Sequence, residues 1–205
     1  MVTGIWGRKI GMTQIFAQDK VFPVTAIDLS SWCITNVKYK QRDGYDAVQV
    51  GNVKKRYKDI AFSADWIRDT KKYFSVLKEI PLNQPLENVK IGDKITVDVL
   101  LGEGEKVDVY GKTKGLGFAG AVRRHNFTGG VSSHGSTLGR ATGSIGSRRR
   151  SGDVIKGKKM PGHMGTKSCV MRNLSVVKIE QDAHVVFVKG SIPGKSGSVV
   201  FVRKV

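Results

Sequence analysis

The central stretch of the chain, residues 111–167, constrains the fold more than any other feature of the sequence. It holds fourteen of the 25 glycines and twelve of the 35 Lys and Arg residues but a single acid, Asp153, so it carries +11 of the formal net charge of +18. Only eleven of its residues are apolar and larger than alanine, too few to offset the conformational entropy lost on folding. We expect this segment to lack a core of its own and to be either mobile when free or ordered by a polyanion.

The charge of this segment favours a nucleic acid as the partner. Solvated faces usually mix both signs, whereas the cations at 123–124, 148–150 and 156–159 are almost unopposed. Glycine lets the backbone approach sugar and phosphate, and arginine pairs with phosphate or stacks on unpaired bases, so folded RNA fits best. A membrane surface is the alternative, but the sequence has no basic amphipathic helix and no apolar run of about 18 residues. The cations at 54–58 and 71–72 are equally well explained as a solvated face.

Both regions that flank the segment show the period-two alternation typical of strands. Strands are predicted at residues 21–29, 32–39, 45–52, 94–100, 105–111, 174–180, 184–190 and 198–204. Asp43-Gly44 predicts a type I′ turn that joins the second and third of these into a hairpin. The C-terminal strands are expected to complete the sheet begun at the N-terminus.

The spacing of aromatic and aliphatic residues predicts one helix over residues 63–77, capped by Ser63. Cys33 and Cys169 stand alone, without the spacing of a zinc site or a disulfide framework, and we interpret both as small core residues. Arg8 and Lys9 interrupt the apolar N-terminus before a signal-peptide core forms, which predicts a cytosolic protein or its organellar equivalent.

Two motifs resemble nucleotide sites but lack the required context. Gly115-x-Gly117-x-x-Gly120 matches the dinucleotide fingerprint, yet Gly129-Gly130 follows too soon for a long helix, and no acid occurs before Asp153. Residues 190–196 have one residue too few between their glycines for a P-loop, and we interpret them as a tight turn. An enzyme that binds nucleotide at Gly115–Gly120 therefore remains only a third hypothesis.

Several long motifs resemble one family. They are TKGLGFAGAVRRHNF (113–127), SHGS (133–136), GSIG (143–146), KGKKMPGHMG (156–165), GRKIGMTQIF (7–16) and LSVVKIEQDAHVVFVKGSIPGKSG (174–197). Together they resemble the universal large-subunit ribosomal protein number three in its bacterial-type form, over nearly the whole chain.

The resemblance implies a mainly β fold, a translation-protein-type β-barrel with a small α+β insertion and a long extended basic loop. The barrel would comprise residues 1–54, 93–111 and 168–205, the insertion residues 55–92, and the loop residues 112–167. The loop would penetrate the ribosomal RNA toward the peptidyl transferase centre. The protein would bind this RNA early in subunit assembly and contact neighbouring ribosomal proteins, with no cofactor, metal, membrane or small-molecule substrate and no catalysis.

The residues expected to contact RNA are mostly cations of the loop. They are Lys9, Lys112, Lys114, Arg123, Arg124, His125, His134, Arg140, Arg148, Arg149, Arg150, Lys156, Lys158, Lys159, His163 and Lys167. The expected loop tip is Gly143, Ser144, Ile145, Gly146 and Ser147. Many bacterial members carry Gln after the GSIG motif, methylated in some, so Ser147 excludes that modification. A non-ribosomal RNA chaperone on the same barrel is the alternative function.

Overall fold

The computed structural model describes residues 3–17, 20–58, 60–82, 90–94, 101–146 and 152–205. The strands are β1 (Gly4–Ala17), β2 (Lys20–Asp28), β3 (Trp32–Lys38), β4 (Ala47–Val53), β5 (Phe74–Pro81), β6 (Lys106–Lys112), β7 (Phe118–Ala119), β8 (Gly162–His163), β9 (Ser168–Glu180), β10 (Val185–Lys189) and β11 (Val199–Lys204). The helices are α1 (Lys40–Asp43), α2 (Asp65–Arg68), α3 (Thr70–Tyr73) and α4 (Ala121–His125), with a 3-10 turn at Lys55–Tyr57. The predicted mainly β class is confirmed.

The chain divides into two compact units, Met1–Lys112 with Ser168–Val205, and Thr113–Lys167. In the first, six strands close into an antiparallel barrel in the order β1-β11-β6-β9-β10-β2. Alternate side chains point to opposite faces of a strand, so Ile5, Val200 and Val202 fill the interior while Trp6 and Phe201 lie outside. The pairing of β11 with β1 and of β10 with β2 confirms that the C-terminal strands complete the N-terminal sheet.

A β-bulge between Lys9 and Gly11 turns one long side chain of β1 into the protein. Lys9 is 8% exposed, and its Nζ donates to the carbonyl oxygens of Ile192 at 2.8 Å and Gly194 at 3.2 Å. Those acceptors belong to the loop between β10 and β11, which contains no helix, so residues 190–196 connect two strands as predicted, although through a loop that spans residues 190–198 rather than a tight turn.

The remaining strands of this unit form a separate sheet in the order β3-β4-β5. The predicted hairpin of β3 and β4 is confirmed, but the predicted type I′ turn is wrong. The strands are joined through the single helical turn α1, and Gly44, with φ of 85°, ends that helix and donates its N–H to the carbonyl of Lys40 at 3.1 Å. The left-handed conformation expected of this glycine is present, in a helix cap rather than a hairpin turn.

The single helix predicted over residues 63–77 is wrong. Asp69, with φ of −112° and ψ of 59°, separates α2 from α3, and β5 begins at Phe74. No side chain caps α2, so Ser63 does not have the predicted role. The aromatic residues of this segment instead form a cluster, in which Trp66 stacks on Tyr73 at a centroid distance of 5.2 Å.

The predicted domain bounds differ from the sheet organisation within the first unit. Residues 1–54 were expected to belong to the barrel, whereas β3 and β4 pair with β5, which lies in the predicted insertion 55–92. β4 pairs antiparallel with β5 from Ala47 opposite Pro81 to Val53 opposite Phe74, with one register shift between Asn52 and Val53, and residues 54–73 connect the two strands. Residues 95–100 of the predicted strand 94–100 lie outside the described residues.

The two cysteines have different environments. Cys33 is 5% exposed, as predicted for a core residue, and burial raises the pKa of its thiol to about 11. Cys169 is only half-buried, so its interpretation as a core residue is wrong.

Candidate nucleic-acid interface

The second unit, which we call the arm (Thr113–Lys167), begins as two antiparallel limbs held by backbone hydrogen bonds. The N–H of Thr113 donates to the carbonyl of Lys167 at 2.9 Å, and Leu116 donates in the same way to Met164 at 2.9 Å. Further along, β7 pairs with β8, with Phe118 opposite His163. The limbs therefore obtain their geometry from main-chain pairing rather than from a core.

Helix α4 is tied to the returning limb by two side chains. Arg124 donates from Nη1 to the carbonyl oxygen of Met160 at 2.7 Å, and His125 lies with Nε2 at 3.2 Å from the same oxygen. Since a carbonyl only accepts, His125 donates through Nε2 in this arrangement. Both side chains are half-buried. Arg124 and His125 thus hold helix α4 against the returning limb of the arm. The sequence gives no sign of this role, because the acceptor is a backbone atom.

Gly165 of the returning limb cannot be replaced by a residue with a side chain without a steric clash. Gly165 has φ of 85°, and a Cβ at this position would overlap the carbonyl oxygen of Lys114. Close approach of the limbs thus requires a residue without a side chain.

Most of the residues predicted to contact RNA are exposed on the surface. The exposed ones are Lys112, Lys114, Arg123, His134, Arg140, Lys156, Lys158, Lys159, His163 and Lys167. The five ion pairs found within the described residues include none of them. The charge of the lysines and arginines among them is consequently available to an external anion.

Three parts of the predicted site stand apart from this set. Lys9 belongs to the first unit, and its buried ammonium is bonded to two carbonyls, so we assign it a structural role and remove it from the interface. Arg148–Arg150 and Ser147 lie outside the described residues. Gly143, Ser144, Ile145 and Gly146 are described and exposed.

The arm also exposes apolar side chains that sequence reasoning did not assign to the interface. Phe118 is 80% exposed, Ile155 75% and Val131 63%. Among the described residues of the arm only Ala119 and Ala121 are buried. An exposed aromatic ring suits stacking on an unpaired base, and Phe118 shares a strand face with His163.

The structure gives the competing site types little support. The Gly115–Gly120 motif leads into α4, which has five residues, far shorter than a dinucleotide-binding helix. In the described part of the chain, no group of three His, Cys, Asp or Glu residues could hold a metal ion. No helix found there is both long and apolar enough to cross a bilayer.

Comparison with known proteins decides the family. The family model described as ribosomal protein L3 matches residues 83–185. A large ribosomal subunit protein uL3 from Syntrophus aciditrophicus is 40% identical over 203 residues, covering 98% of this chain and 92% of that protein. The chain belongs to the ribosomal protein L3 family.

Other L3 relatives support the same assignment across the full length. The uL3 protein of Dehalococcoides mccartyi strain CBDB1 is 41% identical over all of this chain and 98% of its own length. That of Thermosipho africanus is 38% identical, over 97% and 96%. These relatives identify the chain as a bacterial-type L3, and members of the L3 family are structural components of the ribosome rather than enzymes.

Proposed function

We propose that this protein is a structural constituent of the large ribosomal subunit that binds the subunit's RNA through the arm. The observation that carries the proposal is the set of exposed arm cations without ion-pair partners among the described residues. The relatives are named as large ribosomal subunit proteins, which supports the same role. The protein acts in the cytoplasm, within the ribosome, beside other large-subunit proteins.

The finer proposal concerns the arm's tip and timing. The loop around Gly143–Ser147 reaches toward the peptidyl transferase centre, and the protein joins the RNA early in assembly. Almost no side chain of the arm's described residues is buried, and the arm carries a net positive charge, which supports a loop surrounded by RNA, because such a segment gains its packing from that RNA.

Salt dependence of binding tests the proposal. If six to ten cations meet phosphates, the affinity for large-subunit RNA should fall about 10³- to 10⁵-fold between 50 and 200 mM salt. Replacing Lys156, Lys158 and Lys159 by Ala should lower the slope of log K against log salt by up to about three.

A control variant removes three exposed cations from the first unit, Lys40, Lys90 and Lys195, and should leave the slope nearly unchanged. Equal slopes for the two triple variants would contradict the arm as the interface. Sedimentation of cell extracts provides the second readout, and protein found free of large subunits would favour an RNA chaperone instead.

A further inference from the structure

The outer face of the barrel carries a continuous row of large side chains. Trp6 lies opposite Phe201 on β11, Phe201 opposite Tyr110 on β6, and Tyr110 opposite Val170 on β9. The ring centroids of Trp6 and Phe201 are 4.9 Å apart, and those of Tyr110 and Phe201 are 6.0 Å apart. Because opposed residues of antiparallel strands share a face, the row runs across four strands.

A cleft of about 490 Å³ opens beside this row. Its walls include Trp6, Tyr110 and Val170 together with two lysines, Lys78 and Lys112. The volume lies in the range of about 300 to 1,000 Å³ that small-molecule sites occupy. Among the described residues that line it, none is acidic. The cleft therefore combines an aromatic wall with positive charge alone.

The two aromatic residues of the cleft wall, Trp6 and Tyr110, differ in how firmly their side chains are held. Trp6 donates from Nε1 to the carbonyl of Glu79 at 3.1 Å, and Lys78 Nζ lies 5.3 Å from its ring centroid. Trp6 is thus anchored. Tyr110 is half-buried, and within the described residues its hydroxyl has no hydrogen-bond partner. Tyr110 contacts the ring of Phe201 but is not held by a hydrogen bond among the described residues, so it is the less anchored of the two aromatic residues in the wall.

We propose that this cleft binds one unpaired nucleotide of RNA, with its base against Tyr110 and its phosphate near Lys78 and Lys112. Bases that have left a duplex stack on aromatic side chains of β-sheet faces, whereas paired bases are not accessible to them. The lysines favour an RNA occupant over an apolar protein surface, which would leave two ammonium groups without counter-charge. The inference rests on the proposed RNA binding and adds a second contact region outside the arm.

Crosslinking tests where RNA contacts the full-length protein. Large-subunit RNA containing 4-thiouridine is bound to the protein, irradiated and digested with nuclease and trypsin. The expected nucleotide adduct lies on the tryptic peptide of residues 107–112, which contains Tyr110. Adducts confined to residues 113–167 would overturn the cleft while leaving the arm's function intact, and complete absence of RNA binding would contradict the proposed function itself.

A matched pair of variants measures the contribution of stacking. Tyr110→Ala should weaken binding of an oligouridine roughly 5- to 100-fold at about 0.5 M salt, where phosphate contacts are screened. The control is Tyr45→Ala, because Tyr45 is 46% exposed with Lys38 Nζ 5.0 Å from its ring but does not line the cleft. Tyr110→Phe should keep the affinity within about threefold. Equal affinities of the Tyr110→Ala and Tyr45→Ala variants, or a crosslink from the cleft to a protein in intact subunits, would overturn the proposal.

Discussion

Arg124 donates a hydrogen bond to the carbonyl oxygen of Met160, and this contact joins the helix of the arm to its returning limb. The neighbouring Arg123 is exposed and makes no such bond to any residue that the structure describes. Two adjacent residues with the same charge therefore have different tasks, one structural and one available to phosphate.

Replacing either arginine by Gln separates these tasks. Arg123→Gln removes a cation available to phosphate, so it should lower the slope of log K against log salt by about one. Arg124→Gln should change this slope less, but it loses a charge-assisted hydrogen bond worth about 1.5 to 3 kcal/mol, so binding should weaken about tenfold or more even at high salt. Filter binding across a salt series measures both quantities, and equal slopes with equal high-salt affinities of the two variants would contradict this division of roles.

Gly165→Ala should disrupt the base of the arm, since the new methyl group overlaps the carbonyl of Lys114 and φ of 85° is unfavourable for alanine. A strained backbone costs on the order of 1 to 3 kcal/mol, so RNA affinity should fall about 5- to 100-fold. Gly120→Ala is the control, because its Cβ would meet nothing within 4 Å and its φ is −66°. Comparable losses in both variants would contradict this account.

The Lys38–Glu79 pair should make stability depend on pH. Its atoms are 2.7 Å apart, and the hydrogen bond from Lys38 holds the pKa of Glu79 below its usual value of 4.5. A lowered carboxyl pKa stabilises the folded state above the unfolded value, and the contribution disappears as the pH falls through the folded value. The stability difference between wild type and Glu79→Gln should therefore be largest near neutral pH and vanish in acid.

Chemical denaturation at several pH values measures this difference. Glu180→Gln serves as the control, since Glu180 lies 3.7 Å from Lys178 with both side chains about half exposed, and such a pair contributes little. A difference for Glu79→Gln that persists below its folded pKa would show that another interaction is responsible.

Alkylation should distinguish the two cysteines. Cys33 is buried with a pKa of about 11, so little thiolate is present at pH 8, whereas Cys169 is half-buried. N-ethylmaleimide should modify Cys169 first and Cys33 only on unfolding, as read by mass spectrometry of digested protein. Rapid labelling in a Cys169→Ser variant would contradict the buried position of Cys33.

Much of the barrel was predictable because its strands alternate visibly, as at residues 174–180 and 198–204. No strand was predicted at Gly4–Ala17, since its glycines, charges and bulge obscure the alternation. The prediction of a helix over 63–77 was wrong because aromatic residues three and four apart also fit one face of a helix. In the structure the residues from Phe74 onward pair with β4 as a strand instead.

The candidate interface could be predicted from the sequence because the charge and glycine content that mark it belong to one continuous segment of the chain. The role of Lys9 was not, since its acceptors, the carbonyls of Ile192 and Gly194, are distant in sequence. The same holds for Arg124, whose partner is a main-chain oxygen of Met160. The cleft beside Tyr110 depends on strand order, which no short motif encodes.

The pairing of Gly4 with Arg203 at the closure of the barrel has a consequence for biosynthesis. The edge of β1 that β11 covers stays open until β11 has been translated. Contacts between such distant segments form slowly, and an open edge invites pairing with other chains in the meantime. A nascent copy of this protein thus exposes one unpaired edge of β1 for most of its synthesis, until β11 pairs with that edge and closes the barrel.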